Sequence, residues 1–209
     1  MGSEERRKKE KENKKNTILR AARKLFFDRG FKSVTVDNIA AKAEVSKGSI
    51  YLYFDSKEEI YTQILIADNI AHHERIKNFS ATDAPASQLL LDFARIYINY
   101  FLDDNELFRI LMTFMLQTEQ MNLTEEQNKE VIRTTNENIK IISEILQRGV
   151  DSGEFSPTIN IWQGQNAIWG LLNGIISLYI FTGNQAKRAE RIHSTVKDSL
   201  NIFIKGLKK

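Results

Sequence analysis

The 209-residue chain has no cysteine and only two prolines. Without thiols there is no disulfide and no thiolate-held metal. Two prolines leave few enforced breaks, so the long runs of Leu, Ile, Ala, Lys, Glu and Gln read as an all-α fold. No stretch of period-2 alternation is long enough to argue for a sheet. Residues 1–13, MGSEERRKKEKEN, lack the apolar run of a secretory signal, and Arg6 stands where a myristoylation motif needs Ser or Thr. The expected location is the cytoplasm. The longest apolar run, AIWGLLNGIISLYIF at 167–181, is interrupted by Asn173 and Ser177 and falls short of the roughly 20 residues that span a bilayer. No membrane association is expected.

Catalytic constellations are also missing. There is no cysteine nucleophile, no phosphate-cradling glycine loop and no carboxylate pair in an apolar setting, so no enzyme, no catalytic residue and no cofactor is expected. Of the three histidines, His72 and His73 are adjacent. Neighbours on a helix point about 100° apart and do not chelate together as an i, i+4 pair does. All three, His193 included, are expected to be solvated, with no metal site.

What is present is uneven charge. Residues 1–57 carry 15 Lys and Arg against 8 Asp and Glu, a net of +7, whereas the chain as a whole nets only +3. A basic front end on an acidic body implies a polyanionic partner for the first third. That third also holds the most informative segment, Thr35–Lys57. Thr35 is a candidate N-cap, followed by apolar Val36, Ile39, Ala40 and Ala43 at helical spacing. Ser46 caps a second short helix, with Ile50 and Phe54 one turn apart on its inner side. The turn Ala43–Ser46 has the length of a helix-turn-helix. The other face of the second helix offers Lys47, Gly48, Ser49, Tyr51 and Tyr53, and Lys57 opens the next helix. A cation, a bare backbone, a hydroxyl and two phenols together suit phosphates and base edges.

The organisation follows from the punctuation. Residues 1–13 are almost all charged or polar and cannot bury a core, so they read as a disordered or frayed, flexible extension of the first helix, the alternative being a basic arm that adds phosphate contacts. A helix is expected from Lys14 to Arg29, stopped by Gly30, and the DNA-binding domain is placed at 14–60. A larger helical domain at 61–209 begins with a helix to about Asn78. Helices then follow at about Ala86–Leu102, Asn105–Gln120, Thr124–Asp151, Ile159–Thr182 and Gln185–Lys205, with breaks at Pro85, Pro157 and Gly183-Asn184. Ala167, Gly170, Gly174 and Ser177 make a stripe of small residues, and Ile192, Val196, Leu200 and Phe203 an apolar one. Together they are expected to form a four-helix homodimer interface.

Three segments resemble the DNA-binding domain of the TetR (tetracycline repressor-like) family: ILRAARKLFFDRGF, TVDNIAAKAEVSKGSIYLYF and the following SKEEI, spanning Ile18–Ile60. Beyond them only the helical layout and the turn Gly153-Glu154-Phe155 are similar. The resemblance implies that Lys47 and Gly48 approach base edges, and that Ser49, Tyr51 and Tyr53 contact phosphates or thymine methyls. It also implies that Lys57 and Thr35 hold phosphate. Leu52 departs from the pattern. It further implies a ligand cavity among the middle helices, whose filling repositions the helix after Lys57. Tyr97, Phe101, Phe108, Met112, Met115, Trp162 and Trp169, with Asn166 as a polar anchor, would line it and suit an apolar or amphipathic effector. The expected function is thus a homodimeric repressor on a palindromic double-stranded DNA operator, released by a small molecule. The alternative is a DNA-binding dimer without an effector, controlled by a protein partner or acting architecturally.

Overall fold

A computed structural model describes residues 3–180 and 187–208 and, among these, is helical without a strand. Its α-helices are α1 (Ser3–Arg29), α2 (Val36–Lys42), α3 (Lys47–Tyr51), α4 (Lys57–Ile76), α5 (Ala86–Asp103), α6 (Asn105–Gln117), α7 (Glu125–Asp151), α8 (Ile161–Ile180) and α9 (Arg188–Leu207). The expected break at Gly183-Asn184 and the expected helix start at Gln185 lie outside the described residues. The largest departure is at the front. α1 begins at Ser3 rather than Lys14, so the charged extension is helical.

Capping chemistry marks the boundaries. Thr35 and Asn38 form a reciprocal capping box at the start of α2, and Thr124 and Gln127 exchange the same pair of bonds before α7. Gly30 and Gly153, at φ +73° and +76°, supply left-handed stops after α1 and α7. At α5, Pro85 occupies the cap position and offers no side-chain acceptor. The carboxylate of Glu154 accepts the N–H groups of Ala86 (2.7 Å) and Ser87 (3.2 Å) instead. Burial works to raise the pKa of Glu154, but bonds from Ser87 and Ala86 and the charge of Lys208 outweigh it, and the net shift is downward.

The helices form two compact units, Met1–Asp68 with Glu106–Arg133 and Asn69–Asn105 with Thr134–Lys209. This division differs from a cut at residue 60, because Ile60, Tyr61, Ile64 and Leu65 are buried in the first unit. Tyr61 lies edge-on to both Phe26 and Phe31, with ring centroids 5.1 and 5.0 Å away, and its hydroxyl donates to the carbonyl of Ile110 at 2.6 Å. α4 therefore contributes its first half to one unit and its second half to the other.

In the second unit α5, α8 and α9 pack together around Leu90, Phe93, Ile176, Ile192 and Leu200. The turn after α7 returns the buried ring of Phe155 onto Gly149, where a Cβ would lie 2.1 Å from a ring carbon. Only glycine allows that approach.

This packing corrects several expectations. Ile192, Val196 and Leu200 are consumed inside the chain, at 0–2% exposure, and Phe203 is half-buried. The α9 half of the expected interface is therefore core. Ala167, Gly170 and Gly174 are exposed, and both glycines face open space. The expected pocket set is divided between the two units. Tyr97 and Phe101 are buried in the second unit and Phe108 in the first, and Met112 and Trp169 are half-buried. Met115, Trp162 and Asn166 face solvent. His72 is buried rather than solvated, and His193 is half-buried and bonded to Asn99 at 2.9 Å.

Candidate nucleic-acid interface

The short helices α2 and α3 are held by local bonds and by one buried face. Ile39, Ala40, Ala43, Ile50 and Phe54 join Ile18, Ala22 and Leu25 of α1 in the core of the first unit. Between the helices the chain reverses through Glu44 at φ +57°, a left-handed conformation that residues with a Cβ adopt at a cost of about 1 kcal/mol. The reversal is closed by the N–H of Val45 donating to the Ala40 carbonyl at 3.0 Å. Ser46 Oγ accepts the Ser49 N–H at 3.1 Å and fixes the first turn of α3. A five-residue helix is thereby presented with one side anchored and the other bare.

The bare side carries the expected residues, in unequal states. Lys47 is half-exposed and binds Asp37 at 2.9 Å, a bond that, with the attraction of the carboxylate, holds its pKa above the usual lysine value. Its ammonium must exchange this partner before gripping a base or a phosphate. Gly48 is exposed, and a Cβ there would meet nothing nearer than Ser46 Oγ at 3.9 Å. The fold has room for a side chain at this position. The bare backbone therefore matters only to something approaching from outside. Thr35 Oγ1 and Ser49 Oγ are engaged in capping contacts, and each hydroxyl retains further hydrogen-bonding capacity. Tyr51 is 49% exposed, and Tyr53 is half-buried.

Lys57 departs from its expected role. Its ammonium donates to the Phe31 carbonyl at 3.0 Å and lies 4.2 Å from the centre of the Phe31 ring. It ties the start of α4 to the loop after α1, and any phosphate contact comes second to that tie.

Two features of the surface were not anticipated. Asp37 lies in the first turn of α2, where the helix dipole alone explains an acid, so nothing marked it as the partner of Lys47. Leu52 is 76% exposed at the end of α3. Its departure from the family pattern was the available signal, and an exposed aliphatic beside two phenols suits a thymine methyl. Charge, phenols, bare backbone and an apolar tip on the exposed side of a short helix are the elements of major-groove readout.

Comparison with known proteins agrees with this geometry. Residues 18–64 match the model for bacterial regulatory proteins of the tetR family. The fatty acid metabolism regulator protein of Bacillus subtilis is 24% identical over 172 residues, covering 82% of this chain and 86% of that one. The transcriptional repressor KstR2 of Mycolicibacterium smegmatis is 28% identical over 156 residues, 71% of each chain. The crystal structure of FadR from Bacillus subtilis, in complex with stearoyl-CoA, superposes with a TM-score of 0.74 at 20% identity, covering 91% of this chain and 97% of that one. With the matched motif lying on the capped, half-bare helix pair, residues 18–64 are a DNA-binding domain of the tetR family, and the chain is similar over most of its length to transcriptional regulators that carry that domain.

Proposed function

We propose that the protein is a cytoplasmic, homodimeric repressor that binds a palindromic operator and is released by an amphipathic, acyl-type ligand. The observation that carries the ligand reading is a buried polar cluster at the second half of α4. His72 is 4% exposed and faces the rings of Tyr97 and Tyr100, with centroids 5.9 and 4.5 Å away. Burial, only partly opposed by the neighbouring Asn138 amide, pushes its pKa down to about 4. Neither His72 Nε2 nor Asn138 Oδ1 completes a hydrogen bond. Leaving such groups unpaired costs about 1–3 kcal/mol each, so a polar ligand atom that pairs with them binds favourably.

The same helix is held by polar contacts rather than by apolar packing alone. Asn69 donates to Thr134 and Thr135 of α7, and Asn138 of α7 donates back to the Asn69 carbonyl. A ligand engaging His72 and Asn138 would compete with this lattice and shift α4, whose first half belongs to the DNA-binding unit. The stearoyl-CoA held by the Bacillus subtilis FadR crystal structure supports an acyl ligand class.

Dimerisation is assigned to the exposed face of α8, Ala167, Gly170, Gly174 and Leu178, together with Ile202 of α9. Leu178 is 64% and Ile202 72% exposed, and the glycine stripe permits close helix approach.

The test is a titration of the protein–operator complex, the operator first being selected from random duplexes. Two protomers per palindrome and release by long-chain acyl-CoA at micromolar concentration are expected, with His72→Phe binding DNA but no longer responding. Selection of a non-palindromic site would overturn the dimer reading. Insensitivity to acyl-CoA, free fatty acid and steroid alike would leave a regulator controlled by a protein partner.

A further inference from the structure

α1 is one unbroken helix of 27 residues, but only its C-terminal half has a core to lie on. Ile18, Ala21, Ala22, Leu25 and Phe26 are buried, whereas every residue from Glu4 to Lys14 is exposed. An all-polar helix that buries nothing gains little from the fold and is marginal alone. Yet its face is ordered. Counting back from Ile18 at steps of four, three and four reaches Lys14, Lys11 and Arg7. The stripe that is apolar over the body therefore continues past it as a row of cations on the same side. At 100° per residue, Glu5 and Glu12 fall on the far side.

A second observation shows what that row faces. Arg7, Lys11 and Lys14, with Glu10 and Asn13, line an open cleft of about 560 Å³ whose remaining wall is Tyr53, just beyond α3. Lys15 reaches the neighbouring Phe54 ring, 5.9 Å from its centre. Glu10 is engaged by Arg6 at 3.0 Å. Among the described residues, Arg7, Lys11 and Lys14 make no ion pair.

We propose that this overhang is a second DNA-contacting element, in which Arg7, Lys11 and Lys14 clamp duplex phosphates flanking the bases read by α3. The proposal rests on the DNA-binding reading of α2 and α3. An anionic membrane is a poorer partner, because residues 3–16 contain no apolar side chain to enter lipid. The clamp adds affinity without sequence information, since phosphates are alike at every step.

The experiment compares two full-length variants of equal charge loss, Arg7→Ala/Lys11→Ala on the cleft side and Arg6→Ala/Lys9→Ala elsewhere on the same helix. Operator affinity is measured across a salt series. Each phosphate contact contributes about 0.9 to the slope of log K against log salt. The cleft-side pair should flatten the slope by about 2 per protomer and leave base preference unchanged, and the other pair should change it by much less. Equal slopes for the two variants, or no change in either, would overturn the clamp while leaving the helix-turn-helix reading intact. A parent chain without duplex affinity would overturn both.

Discussion

In the first unit, the residues offered to a partner are exposed and close together in the chain. In the second, the notable polar residues are buried and come from far apart. Lys47, Gly48, Tyr51 and Leu52 fall within six positions, and the bonds that present them span three or ten residues. Tyr97 meets Asn173 across 76 residues, and Asn69 meets Thr134 across 65. One surface is made by local capping and by what stays bare. The other is made by tertiary packing and by what remains unsatisfied. Recognition of a fixed, repetitive polymer needs only the first kind. A site that encloses and responds to a molecule needs the second.

If that contrast is sound, damage to the second unit should act through folding. The largest effect expected is from Gly149→Ala, which drives a methyl into the Phe155 ring. A loss of about 3 kcal/mol is predicted, read as a lowered midpoint in denaturant unfolding. A wild-type midpoint would show that the Phe155 turn is loosely held.

Next comes pH. His72 is held neutral by burial, its folded pKa of about 4 lying below the unfolded value of about 6.5. The unfolded chain gains a proton first, so stability should fall as pH drops from about 6.5 to 4, by roughly 3 kcal/mol. Glu154 has a depressed pKa, so its contribution is present above the unfolded carboxylate pKa and is lost only below it. Unfolding measured against pH should therefore show two windows, and His72→Phe should flatten the upper one. An unchanged upper window would remove His72 as its source.

In the first unit, function and stability should separate. Gly48→Ala is predicted to weaken operator binding by about 1–3 kcal/mol while leaving the unfolding midpoint unchanged or slightly higher, because the fold has room for the methyl. Weak binding joined to a lower midpoint would mean that the glycine serves the fold. Lys57→Ala sharpens the comparison from the other side. Losing the bond to the Phe31 carbonyl and the contact with its ring should cost about 1–2 kcal/mol of stability. An unchanged midpoint with weakened binding would restore Lys57 to the phosphate-gripping set.

The same contrast explains what was legible beforehand. The caps at Thr35 and Ser46, the stop at Gly30 and the inner face of Ile39, Ile50 and Phe54 are local patterns, and each appears where the periodicity puts it. The stretch before Lys14 reads as a disordered or frayed extension because composition speaks against burial; it does not speak against helix, and Lys, Arg and Glu are good helix formers. The apolar stripe of α9 reads as interface because an amphipathic face looks the same whether its partner is the same chain or a copy. Burial of Ile192 and Leu200 is decided by where α5 and α8 lie. His72 reads as solvated in the sequence because one charged-capable side chain in a polar stretch carries no mark of the rings it meets 25 and 28 residues later.

The hydrogen bond from Tyr61 to the Ile110 carbonyl has a practical consequence for modular engineering. Hybrid regulators are built by splicing the reading end of one protein to the sensing end of another, with a single crossover. Here a junction at residue 60 would strand half of a core, because Tyr61, Ile64 and Leu65 belong with the reading end, and so does the discontinuous piece 106–133. A working chimera of this protein needs a crossover within α4 after Asp68 and a second transplanted segment, so its two ends are interchangeable only as an interleaved pair.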